Sequence, residues 1–473
     1  MNQLDLVALV CCDLGAIVRG RSLPSLELAN SLDSGVGWVP ANHALTPLGP
    51  LAEVNPFGST GDLRLRPDAE THVRLEGDPD TTVLEFVLCD IVETDGRPWQ
   101  CCPREFLREA LAELESELGA SVMASFEHEF QLVRSVPAEL PFSLAAQRVA
   151  EPFASCVMAA LQEVGAEPER FMAEFADHQY EIPVAPAPGI SCADRSVVVR
   201  ETVREVARRL GMRASFAPLT DPSATGNGAH IHFSLLDGSG APLLYDSARP
   251  GRLSELAECF AAGILLHADA LCALCAPSPC SALRLAPHHW SAGAVCVGQR
   301  NREALLRIPP LLSLADAPSG PEPSGPTLAG TPEGPHPGGH TRTGAGRQAG
   351  RQAGEAAQMR LEYRAADAAA NPYLALGALV RAGLDGVRRE LPAPPILELD
   401  PSQLDAAEKA RYRVGGLPDS LEGALQALAE DEQARAWMSP LLYDAYVDLK
   451  RAELEAVSGL DAGELCSRYA AVY

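Results

Sequence analysis

Several short stretches carry side chains whose types and spacing could do chemistry. In the segment Met359–Val387, Arg360, Glu362 and Arg364 alternate with Leu361 and Tyr363. A strand sends successive side chains to opposite faces, so this spacing puts cation, anion and cation on one face and an apolar pair on the other. Near a core, such a row must be satisfied by something. A metal ion on the carboxylate and a polyanion on the guanidiniums would do so; so would exposure as a surface ion-pair strand, and the strand alone does not decide. In SVMASFEHEFQLV (121–133), Glu127 and Glu129 share a face while Phe126, His128 and Phe130 take the other. Two like charges side by side on an internal strand repel unless a cation lies between them.

Three further stretches add to this set. EFADHQYE brings Glu174 and Glu181 just ahead of a Pro-rich turn, and GNGAHIHFSL places His230 and His232 two apart after Gly226 and Gly228. A histidine pair of that kind is more often structural than ligating, although glycines before it let a ligand approach the backbone closely. Arg284, Arg300, Arg302 and Arg307 fall within RLAPHHWSAGAVCVGQRNREALLRIP, a short and otherwise apolar span. Concentrated arginine suggests a phosphate or carboxylate site, with ion pairing to surplus acids as the plainer reading.

The elements that must position these residues follow from pattern. Asn371-Pro372 reads as an N-cap and first helical position, and Tyr373–Val387 as a helix buried on nearly all sides. Pro103 opens a helix that Gly119 closes, Ser196–Leu210 is amphipathic, and Leu253–Cys275 reads as one long apolar helix. Leu4–Val10 and Thr82–Val92 are rich in β-formers and frame a Gly/Pro/Asn-rich stretch, 31–68, expected to be a long ordered loop. Residues 309–358 are Pro, Gly, Ser and Thr with few apolar side chains, which predicts a disordered insertion between two strands of one domain.

Composition narrows the function classes. A chain of 473 residues exceeds one ordinary core, so two or more domains are expected. A net charge of −25 argues against a general nucleic-acid or membrane-surface binder, so an anionic ligand must meet a local arginine cluster. No apolar run approaches the ~20 residues of a membrane span, and MNQLDLVALVCCDLG lacks a basic leader region and cleavage site. That reads as cytoplasmic. Thirteen cysteines, an odd number scattered through the chain, suit reduced thiols, with Cys272, Cys275 and Cys280 as buried thiols rather than zinc ligands.

Taken with GSTGDLRLRPD and RLEYRAADAAANPYLA, the Glu127/Glu129 pair, the GNGAHIH turn and the arginine run resemble the glutamine synthetase family, up to about residue 390. The resemblance implies an α+β fold: a small β-grasp domain, 1–98, then a catalytic domain, 99–473, whose curved antiparallel sheet is flanked by helices. It also implies a homo-oligomeric ring, commonly a dodecamer, in which a neighbour's amino-terminal domain completes each site.

Carried over residue by residue, Glu129, Glu174 and Glu181 hold one divalent metal and Glu127, His230 and Glu362 the second, with Mg²⁺ or Mn²⁺ suited to the oxygen-rich sets. Arg284 and Arg364 orient glutamate, Gly226 contacts it through its backbone, and Arg302, Arg307 and Arg360 face ATP phosphates. Arg302 and Arg364 are then the catalytic arginines. In the implied reaction ATP phosphorylates the γ-carboxylate of glutamate, and ammonia or an organic amine attacks the acyl phosphate.

Two departures from the family pattern bear on the substrate. Ammonia-using members carry a glutamate where ungapped counting here gives Trp290, which cannot accept a proton. This opens the alternative of a γ-glutamyl-polyamine or γ-glutamyl-monoamine synthetase without ammonia activity. A catalytically silent, assembly-forming member is a third reading, and the full set of costly charges argues against it. The family's Pro-Gly before the last acid of the metal segment is Asp177-His178.

Overall fold

The structure, a computed structural model, describes residues 4–77, 81–286, 291–312 and 352–473. Trp290 and residues 313–351 therefore lie outside the described residues.

The amino-terminal unit is a mixed six-stranded sheet: β1 (Leu6–Cys12), β2 (Val18–Pro24), β3 (Val36–Trp38), β4 (Leu63–Pro67), β5 (Val73–Leu75) and β6 (Leu84–Glu93). The order is β2-β1-β6-β4-β3 with β5 also on β6, and β1 runs parallel to β6. β6 is central because its sequence is apolar on both faces, and Phe86, Val87, Leu88, Cys89 and Ile91 are all buried. The stretch 31–68, expected as a single loop, contributes β3 and β4. LRLRP alternates inward Leu63 and Leu65 with outward Arg64 and Arg66, a period-two signal that the surrounding glycines and prolines obscure.

The second sheet has ten strands: β7 (Ala120–Val133), β8 (Met172–Ala173), β9 (Gln179–Ile182), β10 (Ala187–Pro188), β11 (Arg213–Ser215), β12 (Ala229–Asp237), β13 (Ala294–Gln299), β14 (Ala304–Ile308), β15 (Leu361–Tyr363) and β16 (Ile396–Leu397). Its order is β16-β13-β14-β15-β12-β7-β9-β8, with β10 and β11 also paired to β7. It is mixed rather than wholly antiparallel, since β13 runs parallel to both β14 and β16. From β14 across to β8 every pair is antiparallel.

Helices cover the apolar face of this sheet. The helix Pro372–Arg388 is buried from Pro372 through Gly386, as the small and apolar sequence requires. The Asn371 side chain caps it by accepting from the Tyr373 and Leu374 amides, and its Nδ2 donates to the Cys12 and Asp13 carbonyls of the amino-terminal unit. One residue thus starts the central helix and ties the two sheets together. Gly263 and Gly386 have no room for a Cβ, which lets the helix Glu255–Leu266 cross Pro372–Arg388 backbone to backbone.

Three further expectations are corrected. The apolar run 253–275 is two helices, Glu255–Leu266 and Ala268–Cys275, bent by 75° around His267. The His267 imidazole is held from both sides, by Asp385 at 3.0 Å and Asp431 at 2.5 Å. Among the described residues no single helix is long and apolar enough to cross a membrane. The helix expected from Ser196 begins earlier and spans Gly189–Arg209.

The third correction concerns only the last residues of the expected disordered insertion, 309–358, of which 313–351 lie outside the described residues. Residues 352–358 are helical, and Glu355 is buried against Arg252 at 2.9 Å and the Tyr245 hydroxyl at 2.7 Å. An ion pair whose carboxylate is buried, with a phenol hydrogen bond, supplies what the low apolar content of that segment does not.

Candidate functional site

Strand register assembles the site. His230 on β12 sits opposite Glu127 on β7, and His232 opposite Glu362 on β15. Glu129 on β7 faces Glu181 on β9, while Arg307 on β14 faces Glu362. Because side chains alternate along each strand, all of these project from the sheet face that the helices leave open. The opposite face carries Phe126, His128 and Phe130, where Phe130 packs on Phe153 and Phe216.

The open face lines a cavity of about 740 Å³. All six acidic and imidazole residues expected as metal ligands (Glu127, Glu129, Glu174, Glu181, His230 and Glu362) line it. So do Gly226 and the five arginines Arg284, Arg302, Arg307, Arg360 and Arg364.

Charge is distributed unevenly inside. Glu362 is 1% exposed and accepts from Arg364 on one oxygen and from Arg307 at 2.6 Å on the other. Burial raises its pKa, but Arg364, His232, His230 and Arg307 together outweigh that and pull it down to about 2. Glu127 follows the same logic: burial raises it, and hydrogen bonds to His230 and His232 hold it well below the usual carboxylate range.

Glu181 behaves oppositely. Burial, and then Glu127, Glu129, Glu174 and Glu362, push its carboxyl well above the ordinary value. Burial and Glu129 raise Glu174 to about 7. The β8–β9 side is therefore short of positive charge and the β14–β15 side is well supplied.

Ligand atoms of Glu127, His232 and Glu362 all lie within 4.8 Å of one another, a group that could hold a metal ion. His230, which the resemblance puts in this set, stands at 3.7 Å from Glu127 and 4.0 Å from Glu362. His232 was paired with His230 in the sequence but given no ligand role; the same two-residue spacing could have flagged it. Its Nδ1 accepts from Arg360 Nε at 3.3 Å, which leaves the proton on Nε2 to donate to Glu127 at 3.0 Å.

One side chain that sequence reasoning missed, Gln179, and one backbone amide hold the Glu129 carboxylate in place. Gln179 is buried in the segment between Glu174 and Glu181, and its amide nitrogen donates to Glu129 at 3.3 Å, to the Gly226 carbonyl at 2.9 Å and to Asn227 at 3.1 Å. The Gly228 amide donates to Glu129 at 2.8 Å. A Cβ on Gly226 would run into Arg284 and the Pro218 carbonyl, so glycine is required there for close approach.

Arg284 is fully buried and donates to the Ala365 and Ala366 carbonyls. His178, where the resemblance puts a glycine, has φ of +52°. Its ring donates to the Val136 carbonyl at 2.9 Å, a local compensation for the left-handed backbone that glycine would adopt freely.

The donor set suits a hard divalent cation: carboxylate oxygens and an imidazole, with the Glu174 and Glu181 side short of positive charge. The raised Glu181 carboxyl lets the consequence be signed. Folding is penalised once pH passes the unfolded carboxylate value, near ~4.3, and the penalty is complete above the folded one. A bound cation removes that penalty. Mg²⁺ or Mn²⁺ should therefore raise the Tm more at pH 8 than at pH 5, and a hundredfold excess over the Kd at pH 8 stabilises by ~2.7 kcal/mol there. A Tm indifferent to the cation at both pH values would rule out the metal reading.

Comparison with known proteins decides the family. The description "Glutamine synthetase, catalytic domain" matches residues 100–318 and 340–461, and "Glutamine synthetase N-terminal domain" matches residues 1–99. The chain belongs to the glutamine synthetase family. It is 33% identical over 473 residues to a γ-glutamylpolyamine synthetase of Streptomyces coelicolor, covering 98% of this chain and 92% of that protein.

A glutamine synthetase of Methanococcus maripaludis is 28% identical over 405 residues, covering 84% of this chain and 81% of that protein. Among solved structures, one described as a novel glutamine synthase homolog superposes with a TM-score of 0.85 at 42% identity, covering 100% of this chain and 99% of that one. Apo GmaS superposes at 0.76 with 25% identity, covering 98% and 96%. Family membership makes the chain ligase-like, and divalent metal and ATP are the family's usual requirements.

Proposed function

We propose that this chain is an ATP-dependent ligase that joins the γ-carboxyl of glutamate to an organic amine through γ-glutamyl phosphate. The observation that carries the reading is the convergence of five carboxylates and two imidazoles on a wall of arginines within one cavity. Such a constellation suits phosphoryl transfer to a carboxylate, where positioning and counter-charge do the work and no protein nucleophile is needed.

In this reading Arg284 and Arg364 hold the substrate carboxylates and the Gly226 backbone lets glutamate approach. Arg302, Arg307 and Arg360 take the phosphates, Arg302 and Arg364 stabilising the charge that develops during transfer. Glu129, Glu174 and Glu181 would hold one divalent cation, and Glu127 and Glu362 a second with His230 or His232. The bound cations would offset charge on the transferring phosphoryl group. The amine nitrogen then displaces phosphate from the acyl carbon.

Membership in the family further supports a homo-oligomeric ring, commonly a dodecamer, with residues 1–98 as a β-grasp domain that completes the site of a neighbouring subunit. Two features favour an organic amine. Trp290 stands where ammonia-using members have a glutamate, and one full-length relative is named γ-glutamylpolyamine synthetase. The several relatives named glutamine synthetase favour ammonia instead.

Phosphate release with glutamate, ATP and Mg²⁺ separates these readings when ammonium is compared with a panel of mono-, di- and polyamines. The expected result is stimulation at least about tenfold greater with an organic amine, the ~1.4 kcal/mol of a modest binding subsite. Full rate with ammonium alone would refute the amine assignment, and no release with any acceptor would refute the ligase.

A further inference from the structure

One edge of the cavity is walled by apolar side chains. Arg307 on β14 and Arg360 next to β15 lie toward one end of the sheet, while β8 is its opposite edge, beyond β12, β7 and β9. At that edge the wall is made by Phe142, Met172, Ala173 and Phe175. The Phe142 and Phe175 rings are 6.5 Å apart and remain 52% and 47% exposed. Leaving two rings half in water at a cavity mouth forgoes apolar burial that a ligand's carbon chain would recover.

The local backbone supports a placed rather than incidental ring. Phe142 has φ of +57°, a left-handed conformation that is unfavourable for a bulky side chain. It directly precedes Ser143, which caps the helix Leu144–Val149. Glu174 lies between Ala173 and Phe175 and lines the same cavity, so a carboxyl group and two aromatic rings are adjacent. A cationic head with a hydrocarbon chain matches that pair of features: the ammonium group meets carboxylate and ring faces, and the methylenes meet the rings.

We propose that Phe142 and Phe175 form the subsite that receives the carbon chain of the acceptor, which makes the acceptor a primary amine bearing an alkyl or aryl chain rather than ammonium. The inference rests on the ligase reading above and specifies the substrate class of that same site. An adenine ring could also stack on phenylalanine, but the base of a nucleotide travels with its phosphates. Of the proposed phosphate-binding arginines, Arg307 on β14 and Arg360 beside β15 are on the far side of three strands, while Arg302 acts on Glu174, so the KM for ATP is read alongside that for the amine.

The test is a series of n-alkylamines from ethyl to hexyl, with KM and kcat measured for amine, glutamate and ATP separately. For the full chain, the KM for amine falls about threefold to fourfold per methylene until the rings are covered. In F142A the dependence on chain length flattens and the KM for the longer amines rises about tenfold or more. KM for glutamate and ATP, and the ammonium-dependent rate, stay within about twofold. F142L, which keeps an apolar contact, recovers part of the loss, and F175A repeats the pattern.

An unchanged chain-length dependence in F142A and F175A overturns the subsite. A rise in the KM for ATP in place of that for amine also overturns it, by assigning the rings to the base. If the unaltered protein releases no phosphate with any acceptor, the ligase reading itself fails and this inference falls with it.

Discussion

Glu129→Ala should abolish ATP turnover, lowering glutamate-dependent phosphate release by about three orders of magnitude or more, while the fold stays intact. The two halves of that expectation have different physical sources. Activity falls because Glu129 sits at the centre of the carboxylate cluster: it faces Glu181 across β7–β9 and is held by the Gly228 amide and the Gln179 side chain. A carboxylate fixed by two donors is oriented as an oxygen ligand, and no neighbouring group can swing into its place without leaving its own partners.

The fold survives because Glu129 is one of several like charges that disfavour the cluster when no cation is bound. Glu129 contributes to the raised pKa of both Glu181 and Glu174. Its removal lowers the repulsion, so the metal-free Tm of the variant should equal or exceed that of the parent. The Tm gain on adding Mg²⁺ or Mn²⁺ should shrink at the same time. Turnover at the parental rate would end the metal assignment for the β7–β9 side.

Much of this site is legible in the sequence, and physics marks where legibility stops. Period-two alternation fixes which side chains share a face, so Glu127 with Glu129, His230 with His232, and Arg360 with Glu362 and Arg364 are readable without coordinates. Capping chemistry likewise identifies Asn371 and Gly119 as helix ends. What alternation cannot supply is register between strands far apart in sequence. His232 rather than His230 falls opposite Glu362 because β12 and β15 pair at that offset, a long-range fact.

Gln179 escaped notice because an uncharged amide has no electrostatic signature until its three acceptors are known. The 75° bend at His267 is hidden for a similar reason. The apolar run continues through it, and the two aspartates that grip the imidazole come from 118 and 164 residues away. In the Gly- and Pro-rich segment, composition signals a weak core and misses residues 352–358, which a single buried carboxylate anchors.

Removal of Glu362 should be the most damaging single truncation in the cavity, affecting stability as well as rate. Its carboxylate is the shared partner of Arg364 and Arg307 and lies beside both histidines. Glu362→Ala leaves two guanidiniums facing each other at a site that is almost fully buried, and breaking a buried pair from one side typically costs about 3–5 kcal/mol. Glu362→Gln keeps the shape and one acceptor oxygen, so it should cost less stability while still losing activity with alanine-like severity, since the lost quantity is charge.

The pH dependence separates this electrostatic account from simple loss of packing. With its folded pKa depressed to about 2, Glu362 contributes stability that is fully present above the unfolded value of ~4.3 and is lost as pH falls toward the folded one. The Tm gap between the parent and Glu362→Gln should therefore be widest near neutrality and close progressively below pH 4. A cavity or shape effect would leave the gap constant across that range. A constant gap, or retained phosphate release in the glutamine variant, would show that Glu362 only fills space between Arg307 and Arg364.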